Sequence, residues 1–189
     1  MTAFATPLQV QRQLQGFNKP WYIAGGWAID LFIGHPTRAH GDIEIALFRQ
    51  DQLSLRRHLS AWRFFKVAAG QVHPWDEDEA LHLPIHELHA LAPDGAKLEI
   101  LLNEHKNGQW QYRRHFSITR PLGAVGGRSA QGLPFLRPEI VLLYKSKQPR
   151  PKDEADFANA LPHLQAEGRA WLRKALDQHL PGHTWLDSL

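Results

Sequence analysis

The chain has 189 residues, 43% of them apolar, which suits one well-buried core, with or without a small helical appendage, but not two large domains. It contains no cysteine, which excludes disulfides, thiolate metal sites and a cysteine nucleophile. The 22 basic and 19 acidic residues leave a net charge of only +3, so nucleic acid is not expected as a partner. The N-terminus lacks a signal-peptide pattern and no apolar run approaches about 18 residues, so we expect a cytoplasmic protein without a membrane partner.

The first predicted elements are a helix, a strand and a second, shorter helix. Capping residues indicate a helix over residues 7–15, and an apolar run predicts a strand over residues 21–24. Gly25 and Gly26 then allow a tight turn into a short helix that ends near Gly34.

Acidic and apolar residues alternate in the next predicted strand, residues 42–48. Successive side chains of a strand point to opposite faces, so Asp42 and Glu44 would share one face while the isoleucines are buried on the other. Neighbouring carboxylates repel each other and lose hydration on burial, which a bound cation such as Mg²⁺ offsets. Together with the two glycines, the pattern predicts a phosphate and metal site.

A third acid is expected from a hairpin later in the chain. After a predicted helix over residues 51–62 and a strand over residues 64–68, the runs 85–91 and 97–103 flank an Ala-Pro-Asp-Gly turn. Glu99 is the one acid of the second run directed away from its leucine face. If this strand lies beside the acidic strand, Glu99 joins the same site as a third carboxylate.

The remaining sequence completes an α+β fold. Asn107-Gly108 indicates a turn into a strand over residues 110–113, and the glycine-rich residues 121–134 are expected to form a mobile loop that ends the sheet. Three helices are predicted after it. We therefore predict a small mixed β-sheet core flanked by helices over residues 1–136, and a C-terminal helical segment over residues 137–189 packed on it as one compact unit.

Further charged residues have competing interpretations. Arg38 and His40 lie just before the acids and could reach a triphosphate, although singly each is an ordinary loop residue. The acidic run Trp75–Glu79 could attract a polycationic acceptor or could simply be a solvated loop.

The ordered pattern GG-x3-D-x3-G-x3-R-x-H-x-D-x-[DE], from Gly25 to Glu44, resembles a known signature. It is similar to the nucleotide-binding motif of the aminoglycoside and lincosamide nucleotidyltransferases of the polymerase-beta-like superfamily, most closely the aminoglycoside 2''-nucleotidyltransferase type. Residues 110–114 resemble the family's central strand, and residues 138–164 resemble its C-terminal portion.

The resemblance implies roles for individual residues. Asp42 and Glu44 would ligate one or two Mg²⁺ ions, with Glu99 as the third ligand or general base. The nucleotide phosphates would be held by Gly25, Gly26, Arg38, His40 and Lys145. Supporting residues would be Asp30, Lys152, Asp153 and Asp156. Asp30 could instead only salt-bridge its helix, Asp153 could be an N-cap, and Lys145 could be a surface residue.

The implied reaction moves a nucleoside monophosphate from an NTP, with ATP as the first expectation, to a hydroxyl of a small-molecule acceptor, with release of pyrophosphate. An aminoglycoside or related antibiotic is one candidate acceptor. Two alternatives stay open: a toxin-like enzyme acting on tRNA or protein, and a degenerate member that binds nucleotide without catalysis. The second is motivated by Glu44, because aspartate is commoner there and the longer side chain would shift or weaken the metal site. The sequence leaves the acceptor, the nucleotide and the oligomeric state undetermined.

Overall fold

The computed structural model describes residues 3–189, so the first two residues of the predicted core segment lie outside it. Over this range the chain has the predicted α+β architecture, with a mixed sheet and flanking helices. The α-helices are α1 Ala5–Gln13, α2 Gly25–Ile33, α3 Gln52–His58, α4 Pro138–Lys145, α5 Pro151–Ala160 and α6 Ala166–His179. The strands are β1 Trp21–Ile23, β2 Glu44–Phe48, β3 Arg63–Ala68, β4 Gln71–Pro74, β5 Glu87–Leu91, β6 Lys97–Lys106, β7 Gln109–Gln111, β8 Thr119–Pro121, β9 Gly126–Arg128 and β10 Pro134–Leu136.

The strands lie in the order β4-β3-β5-β6-β2-β1-β10-β9, with β7 and β8 extending from the far part of β6. The pairs β2/β6 and β1/β10 are parallel and the other pairs are antiparallel. Ile45, Leu47, Ile100 and Leu102 are buried from β2 and β6, as their alternation with polar residues predicts. The central pair of strands is therefore anchored by one apolar face, which leaves its other face available for polar side chains.

The C-terminal helices pack against the N-terminal part of the chain. Helix α4 contacts α2 and α6, and α5 contacts both α2 and α4. Ile140, Leu142 and Leu143 of α4 are fully buried at these contacts. No helix in residues 3–189 has the length and hydropathy needed to cross a membrane. The division into segments 1–136 and 137–189 stays a prediction.

The expectation of a mobile loop over residues 121–134 is wrong. Strands β9 and β10 form here, and β10 pairs with β1 inside the sheet. The glycines serve close packing, because a Cβ added at Gly126 would overlap the Tyr22 ring and one at Gly127 would overlap the Phe135 ring. The glycines of this segment therefore indicate close packing and not flexibility.

The acidic strand is also shorter than predicted. It begins at Glu44, so Asp42 lies in the connection before β2 and is exposed. Asp42 consequently reaches the site from a loop rather than from the face of the strand.

Candidate active site

Two acids face each other on the open face of the sheet. In the parallel pair β2/β6, Glu44 lies directly opposite Glu99. At this register the Glu99 amide donates to the carbonyl of Ile43 at 3.0 Å, and on the other side of β2 the Ala24 amide donates to the carbonyl of Glu44 at 2.8 Å. Together with Asp42, both acids line one cavity of about 680 Å³. The structure therefore brings all three predicted carboxylates to a single pocket.

The diglycine corner forms the adjoining wall of this cavity. Gly25 has a φ of +58°, and a Cβ added there would overlap Oε2 of Glu44. A Cβ at Gly26 would overlap the guanidinium of Arg38 and approach the ring of His40. Any larger residue would displace these side chains, so the glycines allow a carboxylate and a cation to lie against the start of α2.

A buried network below the corner fixes the loop between α2 and β2. Asp30, which is fully buried, accepts hydrogen bonds from the amide and hydroxyl of Thr37 at 3.0 and 2.6 Å, and its other oxygen lies 2.6 Å from Nε2 of His40. The His40 ring also stacks on Trp27 with centroids 4.3 Å apart, and the indole of Trp27 donates to the carbonyl of Asp42 at 3.0 Å. Asp30 therefore orients the loop.

His40 lies outside the cavity. Its side chain is only 2% exposed and is held between an acid and an indole, and the structure does not place it among the residues that line the pocket. The expected contact of His40 with phosphates does not fit this position. A role in holding Asp42 through Trp27 fits better, and no motif in the sequence pointed to that tryptophan.

The C-terminal helices supply a second network at the same end of the cavity. Arg38 forms a bidentate pair with the fully buried Asp156, with both N–O distances 2.9 Å. Asp156 also lies 3.0 Å from Nζ of Lys145, which in turn pairs with Asp153. Burial raises the pKa of Asp156, but its bonds to Arg38 and Lys145 lower it overall. Asp153 is not the N-cap of α5; from the third helical position it accepts from the amide and guanidinium of Arg150.

The electrostatics of the acids call for a cation. Burial raises the pKa of Glu44 to about 7, and the charges of Asp42 and Glu99 act in the same direction, partly opposed by Lys145 and Lys152. Burial and Asp42 likewise raise the pKa of Glu99. Because burial and neighbouring negative charge both disfavour the ionised carboxylates, positive charge placed between them would lower their pKa values.

Glu99 has a second set of neighbours that sequence reasoning did not identify. Within residues 3–189 the only group of three acid or histidine ligand atoms lying within 4.8 Å of one another is Glu87, His89 and Glu99. Nε2 of His89 lies 2.9 Å from a carboxylate oxygen of Glu87. The period-two spacing of Glu87 and His89 and the β5/β6 hairpin could have indicated this neighbourhood.

The cavity is also lined by His86, Arg113, Arg114 and Tyr144, a group here called the arginine end. Arg114 donates to the carbonyl of Tyr144 at 2.8 Å, and the guanidinium of Arg113 lies 5.4 Å from the centre of the Tyr144 ring. These contacts join residues far apart in sequence, so no local pattern predicted this group.

The acidic run near residue 76 does not contribute to the cavity. Trp75 is buried and donates to the carbonyl of Glu79, whose carboxylate pairs with Lys66. Residues 76–78 are exposed. Of the two interpretations, the solvated loop agrees with this placement.

A family model adds to this geometry. The model of the aminoglycoside-2''-adenylyltransferase family matches residues 7–160, a stretch that includes the diglycine corner, all three acids and helix α5. The chain belongs to this family. This match confirms the family resemblance that the motif from Gly25 to Glu44 indicated. No curated protein matches the sequence significantly.

Solved structures with a fold similar to that of this chain include two antibiotic-modifying enzymes. One is the lincosamide antibiotic adenylyltransferase LnuA bound to lincomycin, with a TM-score of 0.59, 15% identity and coverage of 86% of this chain and 99% of that chain. Another is ANT(2'')-Ia in complex with adenylyl-2''-tobramycin, with a TM-score of 0.60, 16% identity and coverage of 90% and 95%. At such identities the likeness establishes the fold and leaves the substrate open.

The raised pKa of Glu44 makes the stability of this adenylyltransferase-family chain depend on pH. A carboxyl with a pKa of about 7 in the folded state and 4.5 as its ordinary value stabilises the fold only while protonated. That contribution is complete below pH 4.5 and is lost as the pH rises through 7. In EDTA, Glu44→Gln should raise the free energy of unfolding on the order of 3 kcal/mol at pH 8 and change it little at pH 4.

Urea unfolding at the two pH values measures this difference. The control Glu77→Gln, in the exposed acidic loop, should change stability equally little at both. Adding Mg²⁺ at pH 8 should stabilise the wild type more than Glu44→Gln. The same effect of Glu44→Gln at pH 4 and pH 8 would contradict the electrostatic interpretation.

Proposed function

We propose that this chain transfers a nucleoside monophosphate from a magnesium-bound NTP, ATP being the first expectation, to a hydroxyl of a small-molecule acceptor, with release of pyrophosphate. The observation that carries the proposal is the meeting of Asp42, Glu44 and Glu99 in one cavity beside the diglycine start of α2. Family membership supports the same class of reaction.

The donor set fits a divalent cation. Mg²⁺ takes oxygen ligands, and Asp42 and Glu44 offer carboxylates on adjoining segments whose ionised forms are mutually destabilised without a cation. In this proposal those two residues hold one or two Mg²⁺ ions, with Glu99 nearby. When bound, Mg²⁺ offsets the charge that develops on the transferring phosphoryl group. Glu99 has a ligand atom within 4.8 Å of those of Glu87 and His89, so we assign the ion to Asp42 and Glu44 first.

The corner and the C-terminal helices would bind the phosphates. The N-cap of α2 is Ala24, which has no side chain that could cap the helix. The first-turn amides of this nine-residue helix, beside the cavity, therefore receive no hydrogen bond from a capping side chain. Such amides and the helix dipole favour an anion. Arg38 and Lys145 add positive charge while remaining fixed by Asp156, and the cavity-lining Lys152 acts on Glu44 electrostatically.

Glu99 is suited to accept the proton of the attacking hydroxyl. The pKa of Glu99 is raised towards neutral pH relative to that of an ordinary glutamate, and a pKa near the working pH favours general base catalysis. Glu99 lines the same cavity as the arginine end, where the acceptor would bind in this proposal. Asp30, Asp153 and Asp156 act as positioning residues in this proposal, because their oxygens are committed to bonds within the protein.

Nucleotide binding and turnover test the proposal separately. Asp42→Ala should weaken Mg–ATP binding about tenfold or more through loss of a charged ligand. Glu99→Gln should lower turnover about 100-fold or more and leave the dissociation constant of Mg–ATP within about twofold. The measurements are calorimetric titration with a non-hydrolysable ATP analogue, and pyrophosphate release from labelled ATP, GTP, CTP or UTP with a panel of hydroxylated acceptors.

The matched control for the first variant is Asp177→Ala, an exposed aspartate of α6. It should bind Mg–ATP as the wild type does. Metal-independent nucleotide binding that Asp42→Ala leaves intact would contradict the proposal. Metal-dependent binding without pyrophosphate release from any acceptor would instead support the degenerate binding member.

Glycine substitutions test the corner independently. Gly25→Ala forces the Glu44 carboxylate aside, so Mg–ATP binding should fall about tenfold or more. Gly34→Ala, at the other end of α2, also has a positive φ but nothing within 4 Å of the added Cβ, so binding should be unchanged. Backbone strain alone should lower the free energy of unfolding of each variant by about 1 kcal/mol, which thermal unfolding measures. Equal loss of Mg–ATP binding in both would show that strain, rather than displacement of the carboxylate, is responsible.

A further inference from the structure

The cations around the cavity fall into two groups. Lys145 and Lys152 are close enough to Glu44 to lower its pKa, so they belong to the end that holds the acids and the diglycine corner. The charged and phenolic groups that act on Arg113 are Tyr144, Arg114, Tyr112 and Glu87. His86 of the arginine end pairs with Leu102 of β6, whereas Glu44 lies opposite Glu99 three residues earlier in the same strand, so the two groups occupy different parts of the cavity wall.

Three cations at the first end already have acidic partners, whereas Lys152 forms no ion pair with any of residues 3–189. Arg38 pairs with Asp156, and Lys145 and Arg150 pair with Asp153. Within residues 3–189, neither Arg113 nor Arg114 forms an ion pair with an acid. Arg114 bonds to a carbonyl and to the hydroxyl of Tyr112, neither of which is an anion.

Arg113 is the most exceptional of these cations. It is half-buried, yet its side chain makes no hydrogen bond and no ion pair with any of residues 3–189. Its guanidinium lies over the face of Tyr144 and lines the cavity. A guanidinium that lines a cavity and has no anionic partner in the protein is available to form charge-assisted, bidentate hydrogen bonds with a negatively charged ligand.

We propose that the acceptor of this enzyme carries a carboxylate or phosphate group, which Arg113 binds with help from Arg114 and His86 while the acceptor's hydroxyl lies near Glu99. This inference rests on the proposed nucleotidyl transfer and names the class of its second substrate. The proposed hydrogen bonds form between the guanidinium N–H groups and the acceptor's anionic oxygens.

The same residues disfavour a polycationic acceptor. Arg113, Arg114 and the cavity-lining Lys147 would repel ammonium groups. The acid of this end, Glu87, already pairs with His89. The exposed acidic loop, which could have attracted a polycation, lies outside the cavity. The charge of the pocket therefore favours a hydroxylated anion over an aminoglycoside.

Hydroxylated acceptors of different charge test the proposal. The protein is first saturated with Mg²⁺ and a non-hydrolysable ATP analogue, which occupies the triphosphate site. Glucose, glucose 6-phosphate, gluconate and tobramycin are then titrated by calorimetry. Glucose 6-phosphate or gluconate should bind about tenfold or more tightly than glucose, and tobramycin should show no binding. The two anions distinguish a phosphate site from a carboxylate site.

Three arginine variants complete the experiment. Arg113→Ala and the bulkier Arg113→Gln should remove the preference for the anion while the dissociation constant of the ATP analogue stays within about twofold. Arg63→Ala, an exposed arginine of β3 outside the cavity, should retain the preference. Melting temperatures identify any variant that is not folded, and the other Arg113 variant then decides.

The outcomes separate the two proposals. If the ATP analogue does not bind with Mg²⁺, the proposed function fails. If the analogue binds but neither anion is preferred over glucose, or tobramycin binds more tightly than the anions, only the acceptor proposal is overturned. It is also overturned if the Arg113 variants weaken the ATP analogue rather than the anion, because Arg113 would then serve the triphosphate.

Discussion

The repulsion between carboxylates held on one face of the sheet is the constraint around which the rest of this site is arranged. Parallel pairing of β2 with β6 fixes Glu44 opposite Glu99, and the loop before β2 brings Asp42 to the same cavity. Burial of this acidic group raises the pKa of Glu44 to about 7. A fold retains such an unfavourable arrangement when a cation relieves it, which links the architecture to metal-dependent chemistry.

Most of the surrounding polar groups hold this arrangement in place. Asp30 fixes the loop through Thr37 and His40, and Asp156 fixes Arg38 from a helix 118 residues away in sequence. Gly25 lets a carboxylate approach the start of α2. The C-terminal helices are therefore part of the site, because they supply both the cations of the phosphate end and the acids that orient them.

The sequence predicted those parts of the site that local pattern determines. Alternation around Glu44 indicated the buried strand, and the Ala-Pro-Asp-Gly turn placed Glu99 in a hairpin. It could not reveal that His40 would be buried under Trp27, since this depends on a stacking contact in the folded chain. Residues 121–134 were assigned wrongly because glycines that allow close packing look like glycines that allow flexibility.

In the proposed function, Asp42 and Glu44 hold the metal beside the diglycine corner. Crystals grown with Mn²⁺ and a non-hydrolysable ATP analogue, measured at the manganese absorption edge, locate the ion directly. The expected result is an anomalous peak within about 2.2 Å of carboxylate oxygens of both residues, with the phosphates against Gly25 and Gly26. Manganese bound only at Glu87, His89 and Glu99, with nucleotide present and no ion at Asp42 and Glu44, would contradict it.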